Sequence, residues 1–255
     1  MAEEHNNNQS LKNFSKEALH DVLHFDTKLF TSLKPLLFKP GYLTVQSFTA
    51  EQNKYIKPLG LFIFLNFIFF LFKTKGLFNY QLDVYDSMKF FQPEITAKLA
   101  ASHVSKEVFG ERFNTCMKFE QQEYIIIMIP FFALAVTLLC MRKKMSYIQH
   151  LIFSIHFYSF AVVLLMIFPY LIVIILYLAK VTGLHLFYIQ SEISLDITLF
   201  ILIGLYLFLA LKRVYVQNIL ATIIKASILS LTFLMLIVYV YKTVLFFTVM
   251  HSINS

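Results

Sequence analysis

Residues 151–178 read LIFSIHFYSFAVVLLMIFPYLIVIILYL, 28 positions without a Lys, Arg, Asp or Glu. A helix rises about 1.5 Å per residue and the hydrocarbon core of a bilayer is about 30 Å thick, so about 20 such residues cross it. The run is longer than one upright crossing and contains Pro169, which predicts a tilted helix kinked at the proline.

Four further apolar stretches flank it. Before it lie PLGLFIFLNFIFFLF (58–72), extended by Tyr55, Ile56, Lys57 and Lys73, and YIIIMIPFFALAVTLLCM (124–141). After it come a stretch from about Ile193 to Leu211, with Asp196 near its entry, and one that begins after Lys225 and continues past Tyr241. The expected fold is all-α: a polytopic bundle of five transmembrane helices with spans near 56–73, 124–141, 151–178, 193–211 and 226–246. The chain has no Trp, so Tyr supplies the interfacial belt, and Tyr55, Tyr124, Tyr147, Tyr177, Tyr188 and Tyr215 fall at span ends.

Composition supports that class. Of the 255 residues 58% are hydrophobic and 15% charged, against roughly 45–50% apolar and about 25% charged in an ordinary soluble domain. With 29 Phe and a mean hydropathy of +0.67, the apolar surface exceeds what a soluble fold of this size can bury. Disorder is excluded on the same ground, and two Cys are too few for a disulfide scaffold or a four-ligand zinc ribbon. The net charge of +7 does not indicate nucleic acid, because no run of five or six basic residues occurs; the densest cluster is Arg142, Lys143 and Lys144, between two spans.

Those short-loop charges set the orientation. The turn after the second span holds three basic residues and no acid, and Lys212, Arg213 and Lys225 separate the fourth and fifth. Between the third and fourth, Lys180 is offset by Glu192 and Asp196. The basic turns are expected on the cytoplasmic side, with the N-terminus inside, the loop 74–123 outside and the C-terminus outside. Residues 1–57 then form a cytoplasmic segment and 58–255 the membrane domain. The opening MAEEHNNNQS has no basic region leading into an apolar one, so no signal peptide is expected. From Leu11 to Phe38 apolar residues recur at three- and four-residue steps, which predicts amphipathic helix broken at Pro35 and Pro40, on the membrane surface or under the bundle. In the external loop, Pro93 at a helix start and Gly110 at a helix end predict one short helix, followed by a second from Arg112 to Glu123.

Polar groups inside a bilayer are costly and therefore mark where chemistry could reside. Asn66 sits near the centre of the first span, where an amide is expected to bond a neighbouring helix or line a path. The third span opens with His150, Ser154, His156 and Tyr158. His150, Ser154 and Tyr158 share one stripe at i, i+4, i+8, a polar seam facing the bundle, while His156 lies about 240° round from His150. The two histidines cannot chelate one ion from a straight helix. Hydrogen-bonded packing is their first reading, and a proton relay or a metal or haem ligand the second. His20 and His24 have metal-holding i, i+4 spacing, but Asp21 stands where HExxH would require Glu. Cys116 and Cys140 fall on opposite sides of the membrane and are expected to be free thiols. There is no Gly-rich phosphate loop, no GxSxG and no paired intramembrane carboxylates, so no enzyme activity, cofactor or metal is expected.

The stretch TKLFTSLKPLLFKPGYLTVQSF (27–48), with Lys39, Pro40 and Gly41, and then Lys54, Tyr55, Ile56, Lys57 and Pro58, resembles a family of uncharacterised bacterial inner-membrane proteins known only as a domain of unknown function. YIQHLIFSIHFYSF (147–160) is similar to a second part of it, through His150, Phe153 and His156. Many members look as though they begin with a four-cysteine zinc ribbon that has no counterpart here, and the family's basic segment reads Glu51, Gln52, Asn53. The resemblance implies a multi-pass protein of the bacterial inner membrane and no mechanism. The expected role is a non-enzymatic scaffold or accessory subunit whose partners are the lipid bilayer and a protein or a second copy. The alternative is a small-solute or ion transporter, a channel or a membrane-disrupting effector.

Overall fold

A long uncharged run can satisfy its backbone N–H and C=O groups without water only by bonding to itself, and a helix is the outcome. The structure is a computed structural model that describes residues 27–71, 81–120, 124–141, 144–183 and 192–253, and among these all regular structure is helical. His20, His24, Tyr188 and the expected amphipathic stretch before residue 27 lie outside the described residues.

The described residues begin with α1 (27–38), a turn through Lys39 to Gly41, α2 (Tyr42–Gln46) and a 3-10 turn (Ala50–Lys54). Then come α3 (Pro58–Leu71), α4 (Leu82–Asp86), α5 (Gln92–Ser102), α6 (Lys106–Glu120) and α7 (Ile125–Cys140). Next are α8 (Tyr147–Thr182) and α9 (Glu192–Tyr215). The last are α10 (Ile219–Met235), a π-helical segment (Leu236–Tyr241) and α11 (Lys242–Ser252), which run on without interruption.

Three of these rods are long and apolar enough to cross a membrane: Tyr147–Thr182, Ile193–Tyr215 and Ile219–Ser252. Each extends past its expected ends. At the start of α8 the Ser146 N–H donates to Gln149 Oε1 at 2.9 Å. Asn218 caps α10 by accepting from the Ala221 N–H at 2.8 Å, so that helix begins before Lys225 and the lysine lies within it. Lys212 and Arg213 fall in the last turn of α9, where positive charge suits the negative end of the helix dipole. α8 runs through Pro169 without a break. The apolar helices α3 and α7, at 14 and 16 described residues, are shorter.

α8 is the hub. α3 packs along it on one side, burying Leu61, Phe62, Leu65 and Phe69 while Leu59, Ile63, Phe67 and Leu71 face outward. α7 packs along another side, with Phe132 stacked on Phe157 at 4.8 Å, and α10 bridges α7 and α9. α9 meets α8 through Phe160 and Tyr206, stacked at 3.5 Å between ring centroids.

Two local expectations are corrected. Pro35 does not end the first helix; α1 continues through it to residue 38, because burial of Leu36 and Ser32 holds the segment despite the missing N–H. The break comes at Gly41, whose φ of +76° is the left-handed conformation that glycine adopts without strain. In the loop, Gly110 is no cap. α5 ends at His103, itself left-handed at φ 52°, and α6 starts at Lys106 with Gly110 inside it, beside Leu82 of α4.

The helices α4, α5 and α6 form a small layer over α11. Tyr85, Phe91 and Phe113 surround Phe246 at centroid distances of 5.0, 4.5 and 6.0 Å. Tyr85 donates its hydroxyl to the Lys242 carbonyl at 3.2 Å and carries the Lys242 ammonium 5.1 Å over its ring. Exposed Lys106 pairs with Asp86 at 2.6 Å between α6 and the end of α4. That carboxylate, through its hydrogen bond and its charge, holds the lysine above its ordinary pKa.

Candidate functional site

The first turns of α8 and the segment 27–57 meet at one end of the bundle. α1 and α2 reach this place because Gly41 brings the turn against α9: a Cβ on it would stand 2.8 Å from the Ala210 carbonyl oxygen. Arg213 Nη1 donates to the Pro40 carbonyl at 2.7 Å, and Tyr206 donates its hydroxyl to the Leu36 carbonyl at 3.0 Å. The N-terminal segment is therefore packed into the end of the bundle.

The expected polar residues of α8 divide between two faces. His150, 1% exposed, places Nδ1 2.7 Å from the Tyr215 hydroxyl, with the rings stacked 5.6 Å apart. Ser154 donates to the carbonyl of His150 one turn back. Tyr158 continues the stripe into an aromatic cluster of Phe132, Phe157 and Phe233. Its hydroxyl is buried and, among the described residues, has no hydrogen-bond partner. His156 faces elsewhere: it is 4% exposed, and its Nδ1 lies 3.1 Å from Thr44 Oγ1 of α2. The two histidines are thus engaged by different helices, and among the described residues no three His, Cys, Asp or Glu side chains gather as a metal site would require. Asn66 is half-buried on α3.

Beside His156 lies a cavity of about 570 Å³. Its described lining includes the polar side chains of Lys28, Ser47, Gln52, Asn53, Tyr55 and Lys57 and the apolar ones of Leu43, Ile56 and Ile152. His156 lines it from α8, and α3 starts at its edge with Lys57 and Pro58. Tyr55 donates to the Tyr42 hydroxyl at 3.4 Å. That hydrogen bond first, and burial second, push the Tyr55 phenol up to about 12.

Sequence reasoning singled out His150 and His156 but not Tyr215 or Thr44. Tyr215 stood in the expected interfacial belt, and in the structure it is buried against His150. Its only signal in sequence is a Tyr at the end of a span whose neighbour opens with a His. Thr44 carries none. Cys116 and Cys140 are not joined in a disulfide, and Gln217 Nε2 lies 3.8 Å from Cys140 Sγ.

No curated protein and no solved structure matches the chain. Residues 26–70 match the model of a family described as a protein of unknown function (DUF3667), so α1, α2, the 3-10 turn and nearly all of α3 are similar to that uncharacterised family.

Proposed function

We propose that the chain is a five-span protein of the bacterial inner membrane, with its N-terminal segment cytoplasmic, that serves as a non-enzymatic scaffold or accessory subunit of a membrane complex. The observation that carries this reading is the far half of α8. The 36 residues of α8 make a rod of about 54 Å against a core of about 30 Å. Even a tilt of about 40°, the upper end of the usual range, leaves a projected length of about 41 Å. The other long rod, Ile219–Ser252, is sheathed at its far end by α4–α6 of the same chain. Beyond Pro169, α8 turns only the narrow stripe of Ile172, Leu176 and Ala179 inward, while Val173, Tyr177 and Val181 are 64%, 67% and 67% exposed. An apolar rod longer than the core is suited to cover by another protein.

Five spans are supported by α3 and α7 lying alongside α8, so that any slab enclosing the near half of α8 encloses them. The chain also sorts by side: α1 and α2 meet the start of α8 and the end of α9, while α4–α6 meet α11, as alternating spans require. The transport alternative gains less, since His150 and His156 are each engaged by a neighbouring helix.

Photo-crosslinkers at Val173, Tyr177 and Val181, read by mild-detergent purification and quantitative proteomics, test the proposal. Protein adducts at these positions, absent from a crosslinker at the lipid-facing Phe67 of α3, are expected. Recovery of the chain alone, at control level, would sink the scaffold role.

A further inference from the structure

We propose that the 570 Å³ cavity is a binding site for a phosphate-bearing anion, held as the headgroup of an anionic phospholipid at the membrane boundary. Four observations converge on it. Two lysines, Lys28 from α1 and Lys57 from the start of α3, line the cavity, and among the described lining residues there is no carboxylate. The side-chain amides of Gln52 and Asn53 add neutral donors suited to phosphate oxygens, while the Ser47 hydroxyl donates to the Leu43 carbonyl at 2.8 Å. α3 begins at the edge with Lys57 and Pro58, so the positive end of its dipole lies against the cavity and reinforces the lysines. Three further lining residues, Leu43, Ile56 and Ile152, are apolar, which suits the glycerol and first acyl carbons attached to a headgroup and would give nothing to a fully hydrated ion.

The position fits the same ligand. The cavity opens where α3 starts and two turns into α8, the depth at which headgroup meets hydrocarbon if these helices span. His156 closes it from α8 and is tied to α2 through Thr44, so the wall is braced by a hydrogen bond between elements. Nine of the eleven described lining residues fall within 26–70, the segment that matches the uncharacterised family. The inference does not depend on the scaffold role; it requires only that the chain sits in a membrane.

The test uses the full chain in detergent micelles carrying dioleoylphosphatidylglycerol with and without added inorganic phosphate, dioleoylphosphatidylcholine, or no lipid with added inorganic phosphate. Native mass spectrometry counts retained lipid, and thermal unfolding follows the phosphate arm. We expect phosphatidylglycerol to be retained about tenfold more strongly than phosphatidylcholine, and Lys28→Gln with Lys57→Gln to remove most of that preference. Asn53→Trp, which fills the cavity without changing charge, should remove it as well, and it keeps the test open if the double variant fails to fold. The pair Lys89→Gln with Lys98→Gln, on α4–α6, should leave it unchanged. Competition by inorganic phosphate would assign the site to phosphate itself, supplied by a soluble ester; absence of competition with retained lipid preference assigns it to the headgroup. Equal retention of both lipids with no phosphate effect overturns the proposal, as does an equal loss in the Lys89/Lys98 pair.

Discussion

His150 and Tyr158 sit two turns apart on one face of α8 and make opposite energetic demands. His150 is buried with its Nδ1 in contact with the Tyr215 hydroxyl, so Tyr215→Phe leaves a buried imidazole nitrogen unpaired. That should cost about 1–3 kcal/mol. Tyr158 buries a hydroxyl that meets no partner among the described residues, so Tyr158→Phe removes an uncompensated polar atom and should be neutral or stabilising by a comparable amount. Thermal unfolding of the two variants beside the parent checks both, and a destabilised Tyr158→Phe would show that its hydroxyl is satisfied after all. At Tyr55 the prediction concerns pH. A phenol held at about 12 in the fold against 10.0 otherwise contributes stability that is fully present below pH 10 and is lost as pH rises toward 12. Ultraviolet titration should show one fewer late-ionising tyrosine in Tyr42→Phe, which removes the largest cause of the shift; superimposable curves would refute that assignment. The histidines were legible in the sequence because an ionisable group in an apolar run stands out. Their partners were not, because Tyr215 and Thr44 lie 65 and 112 positions away and only the packing of α9 and α2 brings them in.

The elements follow from periodicity where the chain is apolar and from single turn residues where it is not. All three long rods were visible as predominantly apolar runs, because a stretch of that kind has few alternatives to a helix in a bilayer. Their ends were less visible: Asn218 starts α10 before Lys225, although the lysine reads as a boundary. The loop helices were misjudged at Gly110, because a glycine that makes room for Leu82 looks in sequence like one that ends a helix. His103, which does end α5, adopts a left-handed backbone uncommon for residues other than glycine, though histidine is among those that enter it most readily. Gly41 is the place where one residue decides an element's position. Gly41→Ala would force an alanine to φ near +76° and push its Cβ against the Ala210 backbone. We expect a loss of about 2 kcal/mol or more, part of it the left-handed strain of about 1–2 kcal/mol. Limited proteolysis should then cut between α1 and the 3-10 turn earlier than in the parent, and unchanged protection would mean that the docking on α9 does not depend on this close approach.

At the scale of the whole molecule, the chain separates into two ends. At one end α1 and α2 are fastened to α8 and α9 by Thr44, Leu36, Pro40 and Gly41; at the other α4–α6 are fastened to α11 by Tyr85 and Phe246. The scaffold role and the anion site both require a membrane between those ends. Single cysteines at Gln52, beside the cavity, and at Thr115, exposed on α6, in a Cys116→Ser, Cys140→Ser background, test this directly. With a membrane-impermeant maleimide, Thr115→Cys should label in intact cells and Gln52→Cys only after permeabilisation. Labelling of both positions from the same side would contradict the account.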